Sequence, residues 1–299
     1  MVDVATLLLT NRECPWRCLM CDLWKTTSTG RVPGGAIPAQ IQAGLDRLGW
    51  SRSAPTPAAR DAWRPRMIKL YNGGSFFDAG AIPPSDYAAV ARWVAPFKRV
   101  VVECHPALVG RRTLDFLGEL ERAAEAIGRA VPRLEVAMGL ETVHPAVLPR
   151  LNKRMTTGQF AAAAHFLTRH GVDLRAFILV RPPFLDEEEA LTWACRSIDF
   201  AIECDAAVIS LIPVRTGNGA LEELERAGDF APPRLATLEA ATAHGVGRRK
   251  AVVLADLWDL QRFSGCAGCF PARRRRLEVM NDSQVVAAPI PCPRCAGNS

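Results

Sequence analysis

Six short apolar runs rich in β-branched residues constrain this chain most. They are residues 4–10 (VATLLLT), 67–72 (MIKLYN), 99–104 (RVVVEC), 134–140 (LEVAMGL), 174–180 (LRAFILV) and 206–214 (AAVISLIPV). Stretches with helical periodicity, at 38–48, 85–95, 111–130, 156–170 and 186–203, lie between most of them. Near-continuous apolar strands alternating with amphipathic helices predict an α/β fold with a parallel sheet covered on its faces. Right-handed crossovers wind such units in one direction. Six of them, against the eight of a closed barrel, predict an open, partial (β/α)6 barrel. Chemistry on such a frame sits in loops at the C-terminal strand ends. The cysteine loop after the first run, Asn72-Gly-Gly-Ser75, Glu103 and Glu141 all fall there.

Ten cysteines in a chain without a recognisable secretory start point to metal or redox chemistry rather than a disulfide frame. Met1-Val-Asp-Val-Ala lacks a basic n-region and cleavage site, so a cytoplasmic location is expected. No segment approaches the ~18 uninterrupted apolar residues of a membrane span. Mean hydropathy is near zero, as for a soluble enzyme. Seven cysteines fall in three tight groups, whereas Cys104, Cys195 and Cys204 are isolated and expected to be small buried side chains.

The first group, Cys14, Cys18 and Cys21, packs three thiolates into eight residues. Three thiolates can hold a four-iron cube and leave one iron without a protein ligand. A full set of four would describe an electron carrier. A zinc knot or three unrelated cysteines are the alternatives. Zinc requires a fourth ligand, and the nearest histidine is His105. The C-x3-C-x2-C spacing resembles that of the radical S-adenosylmethionine (SAM) superfamily. That resemblance implies a [4Fe–4S] cluster, SAM bound to its open iron and a TIM-like partial barrel. It also implies reductive cleavage of SAM to a 5′-deoxyadenosyl radical, fed by an external one-electron reductant of flavodoxin or ferredoxin type. Met20 departs from the aromatic residue usual before the last cysteine.

Further motifs extend the resemblance across residues 4 to about 216. Asn72-Gly73-Gly74-Ser75-Phe76 resembles the Gly-Gly element that binds the SAM amino group, although paired glycines also mark ordinary turns. Glu103 matches the ribose-binding carboxylate of elongator-type enzymes, a natural acceptor for a cis-diol; a solvated strand-end carboxylate is the alternative. The segment Gly139-Leu-Glu-Thr142 and Leu151-Asn-Lys-Arg154 resembles the archaeosine synthase β-subunit group. By that likeness Glu141 and Arg154 are SAM contacts; otherwise they form a surface ion pair of little weight. The likeness implies a tRNA nucleobase as substrate and a partner enzyme subunit. A radical SAM maturase for a peptide or small molecule, and a non-catalytic zinc-dependent RNA-binding protein, are the competing readings.

The C-terminal segment differs in character. Cys266, Cys269, Cys292 and Cys295 form two C-x2-C knuckles 22 residues apart, enough for a closed tetrahedral site. Zinc and a second [4Fe–4S] cluster share these ligands. Of a net charge of +6, most lies here: nine Lys/Arg stand against four acids between Val246 and Ser299. Arg273, Arg274, Arg275 and Arg276 lie between the knuckles, read either as a metal-closed loop gripping RNA phosphates or as a solvated run. The expected organisation is a core at 1–216, a helical connector at 217–245 and a basic four-cysteine extension at 246–299. Residues 49–66, rich in Pro, Ala and Arg, read as a long insertion or lid.

Overall fold

The computed structural model describes residues 3–50 and 66–294. Strands β1 (Val4–Leu9), β2 (Met67–Asn72), β3 (Arg99–Glu103), β4 (Arg133–Glu141), β5 (Asp173–Val180), β6 (Val208–Pro213) and β7 (Val252–Ala255) follow chain order across the sheet. The fold class is the expected α/β partial barrel of parallel strands. The first six strands lie within two residues of the runs read from sequence. The expected insertion falls largely on 51–65, outside the described residues.

The residues divide into two compact units. The first comprises residues 1–17, 22–138 and 162–174. It carries β1 to β3, most of β4, and the helices α1 (Ala36–Arg47), α2 (Tyr87–Val94) and α3 (Arg111–Glu125). Ile37, Ile41 and Leu45 recur every four residues and bury one stripe of α1 completely. Gly44 lets that helix approach β1, since a Cβ there would lie 3.3 Å from Leu7 Cδ1 and closer still to Cδ2. Behind the β2 and β3 ends, Phe76, Tyr87 and Phe116 form an aromatic cluster with centroids 4.8 to 5.9 Å apart. At the opposite strand ends, Arg99 bonds Glu135 and Asp173 at 2.8 and 2.6 Å, and Arg133 pairs with Asp173.

The second unit comprises residues 18–21, 139–161 and 175–299. It holds α4 (Val147–Arg150), β6, β7, α6 (Glu187–Glu203), α7 (Ala220–Ala227), α8 (Leu235–Arg248) and α9 (Phe270–Ser283); α5 (Thr157–Arg169) begins in it. Its core gathers Val147, Leu151, Leu179, Leu185, Val214 and Phe230. Gly245 allows α8 to lie on β7, for a Cβ would come within 2.9 Å of Val253.

Strand β7 and helix α9 have no counterpart among the elements read from sequence. The first is four residues long with Val252 exposed, too short for a period to show. The second carries Pro271 in its first turn, where proline costs no hydrogen bond, followed by four arginines. Its inner face is Arg276, Leu277 and Met280, so the apolar stripe is broken by a charge. Asn281 and Gln284 hydrogen-bond the backbone of Ala255 and Val253, satisfying the open edge of β7.

Candidate functional site

Within the first unit, three strand-end loops meet. The register aligns Leu9 with Asn72 and Leu70 with Val102, so β1, β2 and β3 finish on one edge. Beyond Leu9 the chain is held by Ser28, whose N–H donates to the Asn11 carbonyl at 2.9 Å and whose carbonyl accepts from Glu13 at 2.8 Å. Cys14, half-buried, follows in the same run; Cys18 and Cys21, also half-buried, belong to the second unit. Gly74 packs against the Cys14 run: a Cβ there would sit 3.6 Å from Cys14 Cβ and 3.4 Å from Asn11 Nδ2. A Cβ on Gly73 would overlap Thr27 and lie 3.1 Å from the Leu23 carbonyl. Close approach thus calls for glycine at 73, whereas at 74 a Cβ would make only ordinary van der Waals contact with the cysteine loop.

Ser75 and Glu103 are tied to neighbouring backbone. The Ser75 hydroxyl accepts from His105 N–H at 2.9 Å, and a Glu103 carboxylate oxygen accepts from Asn72 N–H at 3.3 Å. His105 stacks on Trp16 at 3.9 Å and 12°. Its Nδ1 accepts from the Ala107 N–H at 3.1 Å, which makes Nδ1 the unprotonated nitrogen. These links brace the cysteine loop against the β3 end. The Ser75–His105, Asn72–Glu103 and Trp16–His105 links pair residues far apart in sequence, so no local pattern announces them.

Asn11 and Asn72 are 1% and 4% exposed, and their side-chain amides have no hydrogen-bond partner among the described residues. An unsatisfied buried amide costs about 1–3 kcal/mol. Orphaned polar atoms at the cysteine loop, beside a glycine cradle, fit a polar cofactor. Neither amide was singled out from sequence; an asparagine closing an apolar strand is the signal that was available.

In the second unit, the Cys18–Cys21 turn is fastened at Leu19. Its N–H donates to Leu151 O at 3.0 Å, and its carbonyl accepts from Asn218 Nδ2 at 2.8 Å. Met20, where the family likeness leads one to expect an aromatic residue, packs on the core of this unit. Glu141 ends β4 with φ 64° and is buried. Its partner is Lys153 at 2.7 Å, not Arg154. Gly139 is required there, since a Cβ would strike both the Glu141 carboxylate and the Lys153 ammonium. Arg154 is exposed and donates to Asn152 Oδ1 at 3.3 Å.

The C-terminal thiols of Cys266, Cys269 and Cys292 lie within 4.8 Å of one another, a spacing that suits one metal centre. Cys295 lies outside the described residues. Arg273 to Arg276 form helix, not a loop closed by the knuckles. Successive helical residues turn by about 100°, so the run divides. Arg273 and Arg276 both bond the buried Glu239 of α8, the latter at 3.2 Å. Burial works against the Arg273 charge, but Glu239 and Cys269 outweigh it and raise the guanidinium pKa. Arg274 and Arg275 bond Glu278 on the exposed side, at 3.1 and 3.2 Å. Of the isolated cysteines only Cys104 is buried. Cys195 and Cys204 are half-buried, and burial, with Asp199 beside the first and Glu203 and Asp205 beside the second, pushes each thiol up to about 11.

No family model matches the chain. Archaeosine synthase subunit beta of Methanosarcina acetivorans is 30% identical over 174 residues, 56% of this chain and 48% of that protein. The subunit of the same name from Thermococcus kodakarensis is 27% identical over 178 residues, 57% of this chain and 52% of that one. The chain therefore spans about half the length of these curated relatives. Among solved structures, archaeal Elp3 of Methanocaldococcus infernus superimposes with a TM-score of 0.58 at 12% identity, over 99% of this chain and 66% of that one. The radical S-adenosylmethionine methyltransferase TsrM of Kitasatospora setae gives a TM-score of 0.51 at 15% identity, over 76% and 39%. The chain has the radical SAM fold. On that fold the C-x3-C-x2-C loop follows β1, and the Gly73-Gly74 turn beside Cys14 follows β2.

Proposed function

We propose that the chain is a radical SAM enzyme that modifies a nucleobase in tRNA. Cys14, Cys18 and Cys21 would hold a [4Fe–4S] cluster. Gly73, Gly74, Ser75 and Glu103 are the proposed SAM contacts, and Glu141 and Arg154 remain candidates for the same cosubstrate. When bound, the cluster supplies the electron that cleaves SAM and yields a 5′-deoxyadenosyl radical. The residues themselves orient and exclude. Gly74 brings backbone to the cysteine loop, Asn11 and Asn72 offer amide donors and acceptors from a buried position, and Trp16 stacks on His105. The observation that carries the reading is the packing of Gly74 on the Cys14 loop beside two orphaned amides. The relatives named as archaeosine synthase subunits support a tRNA substrate and a second subunit as partner.

Residues 1–216 would form the catalytic core, with 217–245 connecting to a metal-bearing extension at 246–299. Zinc is the proposed C-terminal metal, a flavodoxin or ferredoxin the reductant and the cytoplasm the location. Among the described residues no helix is long and apolar enough to cross a membrane. The test is anaerobic reconstitution followed by incubation with SAM and reductant, and mass spectrometry of nucleosides from a deletion strain. Formation of 5′-deoxyadenosine together with loss of one modified nucleoside is expected. Cleavage of SAM with an unchanged nucleoside profile would remove the tRNA part. The same close C-terminal thiols would serve one further reading, a maturase of a peptide or small molecule with an auxiliary cluster. About four extra irons per chain, rather than one zinc, would select it.

A further inference from the structure

A cleft of about 920 Å³ opens beside the C-terminal thiols, and Arg234, Leu235, Phe263, Cys266, Arg273 and Arg294 are among the residues lining it. Arg273 is committed to Glu239. Arg234 and Arg294 are exposed, and neither side chain has an acidic partner among the described residues. Among the described residues no carboxylate lines the cleft. Among the described lining residues, Cys266 can carry negative charge, and a metal ion shared with Cys269 and Cys292 would offset it. Leu235 and Phe263 are buried and give the wall an apolar floor.

We propose that this cleft binds a phosphate group of a nucleotide, with Arg234 and Arg294 as its contacts and one unit of an RNA strand as its occupant. The inference rests on the tRNA reading and moves the phosphate contact away from the arginine run. Guanidinium groups present a planar fork that matches phosphate oxygens. Two of them lining one cleft, with no carboxylate among its described lining residues, make a site that favours anions. The volume lies within the range of small-molecule sites and accepts a whole nucleotide rather than a bare ion. The first turn of α8 forms part of the wall, but Glu187 already accepts from the Arg234 N–H there at 3.2 Å, so the arginine side chains rather than the helix end supply the positive charge. Arg294 stands two residues after the metal-ligating Cys292. Its reach into the cleft would therefore depend on the metal that fastens that thiol.

The test uses the full chain with its metal bound. Fluorescence anisotropy follows a labelled tRNA transcript at several salt concentrations, and calorimetry follows adenosine 5′-monophosphate. Arg234→Gln and Arg294→Gln are compared with Arg111→Gln, which removes an exposed arginine from the first unit. Each cleft variant should weaken tRNA binding about 3- to 10-fold and reduce the salt slope by about one phosphate contact, with a parallel loss for the mononucleotide. Arg111→Gln should change neither. Mononucleotide binding that depends on both arginines, without tRNA binding, would leave the cleft standing and remove RNA as its occupant. Binding of tRNA that neither cleft variant weakens would overturn the cleft and leave the tRNA reading intact. A chain that binds neither ligand would overturn the site.

Discussion

Cys14 follows a strand whose end is locked by Ser28 and braced by Gly74, whereas Cys266, Cys269 and Cys292 stand on either side of a helix, the last in a segment without regular structure. The comparison separates two ways of preparing thiolates. The first loop has its position set by the sheet before any metal arrives. In the second, α9 is stapled to α8 by Glu239 and to β7 by Asn281 and Gln284, but residues 285–294 carry few such ties. Among these, Arg276 Nε donates to Ala287 O at 3.1 Å. Metal should therefore matter chemically at the first region and structurally at the second.

The sharpest way to break that contrast is to remove the C-terminal metal. A structural thiolate site contributes on the order of 10 kcal/mol of apparent binding energy, so Cys266→Ser should release the metal and open residues 285–294 to limited proteolysis. The α9 helix should stay protected in hydrogen exchange, since Glu239, Asn281 and Gln284 tie it to α8 and β7 independently of Cys266. Cys14→Ala should leave both the melting profile and the proteolysis pattern unchanged. A melted α9 in Cys266→Ser would show that the metal, not Glu239, holds the helix.

The next effect concerns Glu141. Removing one partner of a buried ion pair costs about 3–5 kcal/mol, so Lys153→Met should destabilise the chain by roughly that amount in urea unfolding. Gly139→Ala should act in the same direction, because its Cβ strikes both partners. If neither matters, the pair is not closed in solution. A smaller effect is expected at the brace of the first loop. A stacked aromatic pair is worth about 0.5–1.5 kcal/mol. Trp16→Leu should cost about 1 kcal/mol, read from the denaturation midpoint.

The alternation of apolar runs announced the barrel because each buried strand leaves a nearly unbroken apolar signature and each crossover helix a 3.6-residue one. The cysteine spacing and Gly73-Gly74 were legible for the same reason, being local. What could not be read is long-range or written in polar residues. The bond from Asn218 to Leu19 spans 199 positions. Helix α9 buries Arg276 where a pattern reader expects an apolar residue, and only Glu239, on another helix, makes that acceptable. The pairing of Glu141 with Lys153 rather than Arg154 depends on backbone at positive φ at Glu141, Asn152 and Arg154.

The smallest predicted effect lies at the opposite strand ends. Burial alone would raise the Asp173 pKa, but hydrogen bonds and charges from Arg133 and Arg99 outweigh it and hold the carboxyl below its usual value. A carboxyl whose folded pKa is depressed adds stability that is complete above its unfolded pKa, about 3.9, and is lost as pH falls through the lower folded value. Stability of the parent chain should thus decline in that acid window. Asp173→Asn should flatten the decline. An unchanged acid limb would mean that the three-strand network is not formed.

The central claim, a cluster on the Cys14 loop able to accept SAM, is tested most directly by electron paramagnetic resonance. The anaerobically reconstituted chain, with all four C-terminal cysteines replaced by serine, is reduced and examined with and without SAM. The account predicts a reduced [4Fe–4S] signal that changes shape when SAM is added and vanishes in Cys18→Ala. A spectrum indifferent to SAM, or the absence of any cluster signal in the chain with Cys14, Cys18 and Cys21 intact, would contradict it.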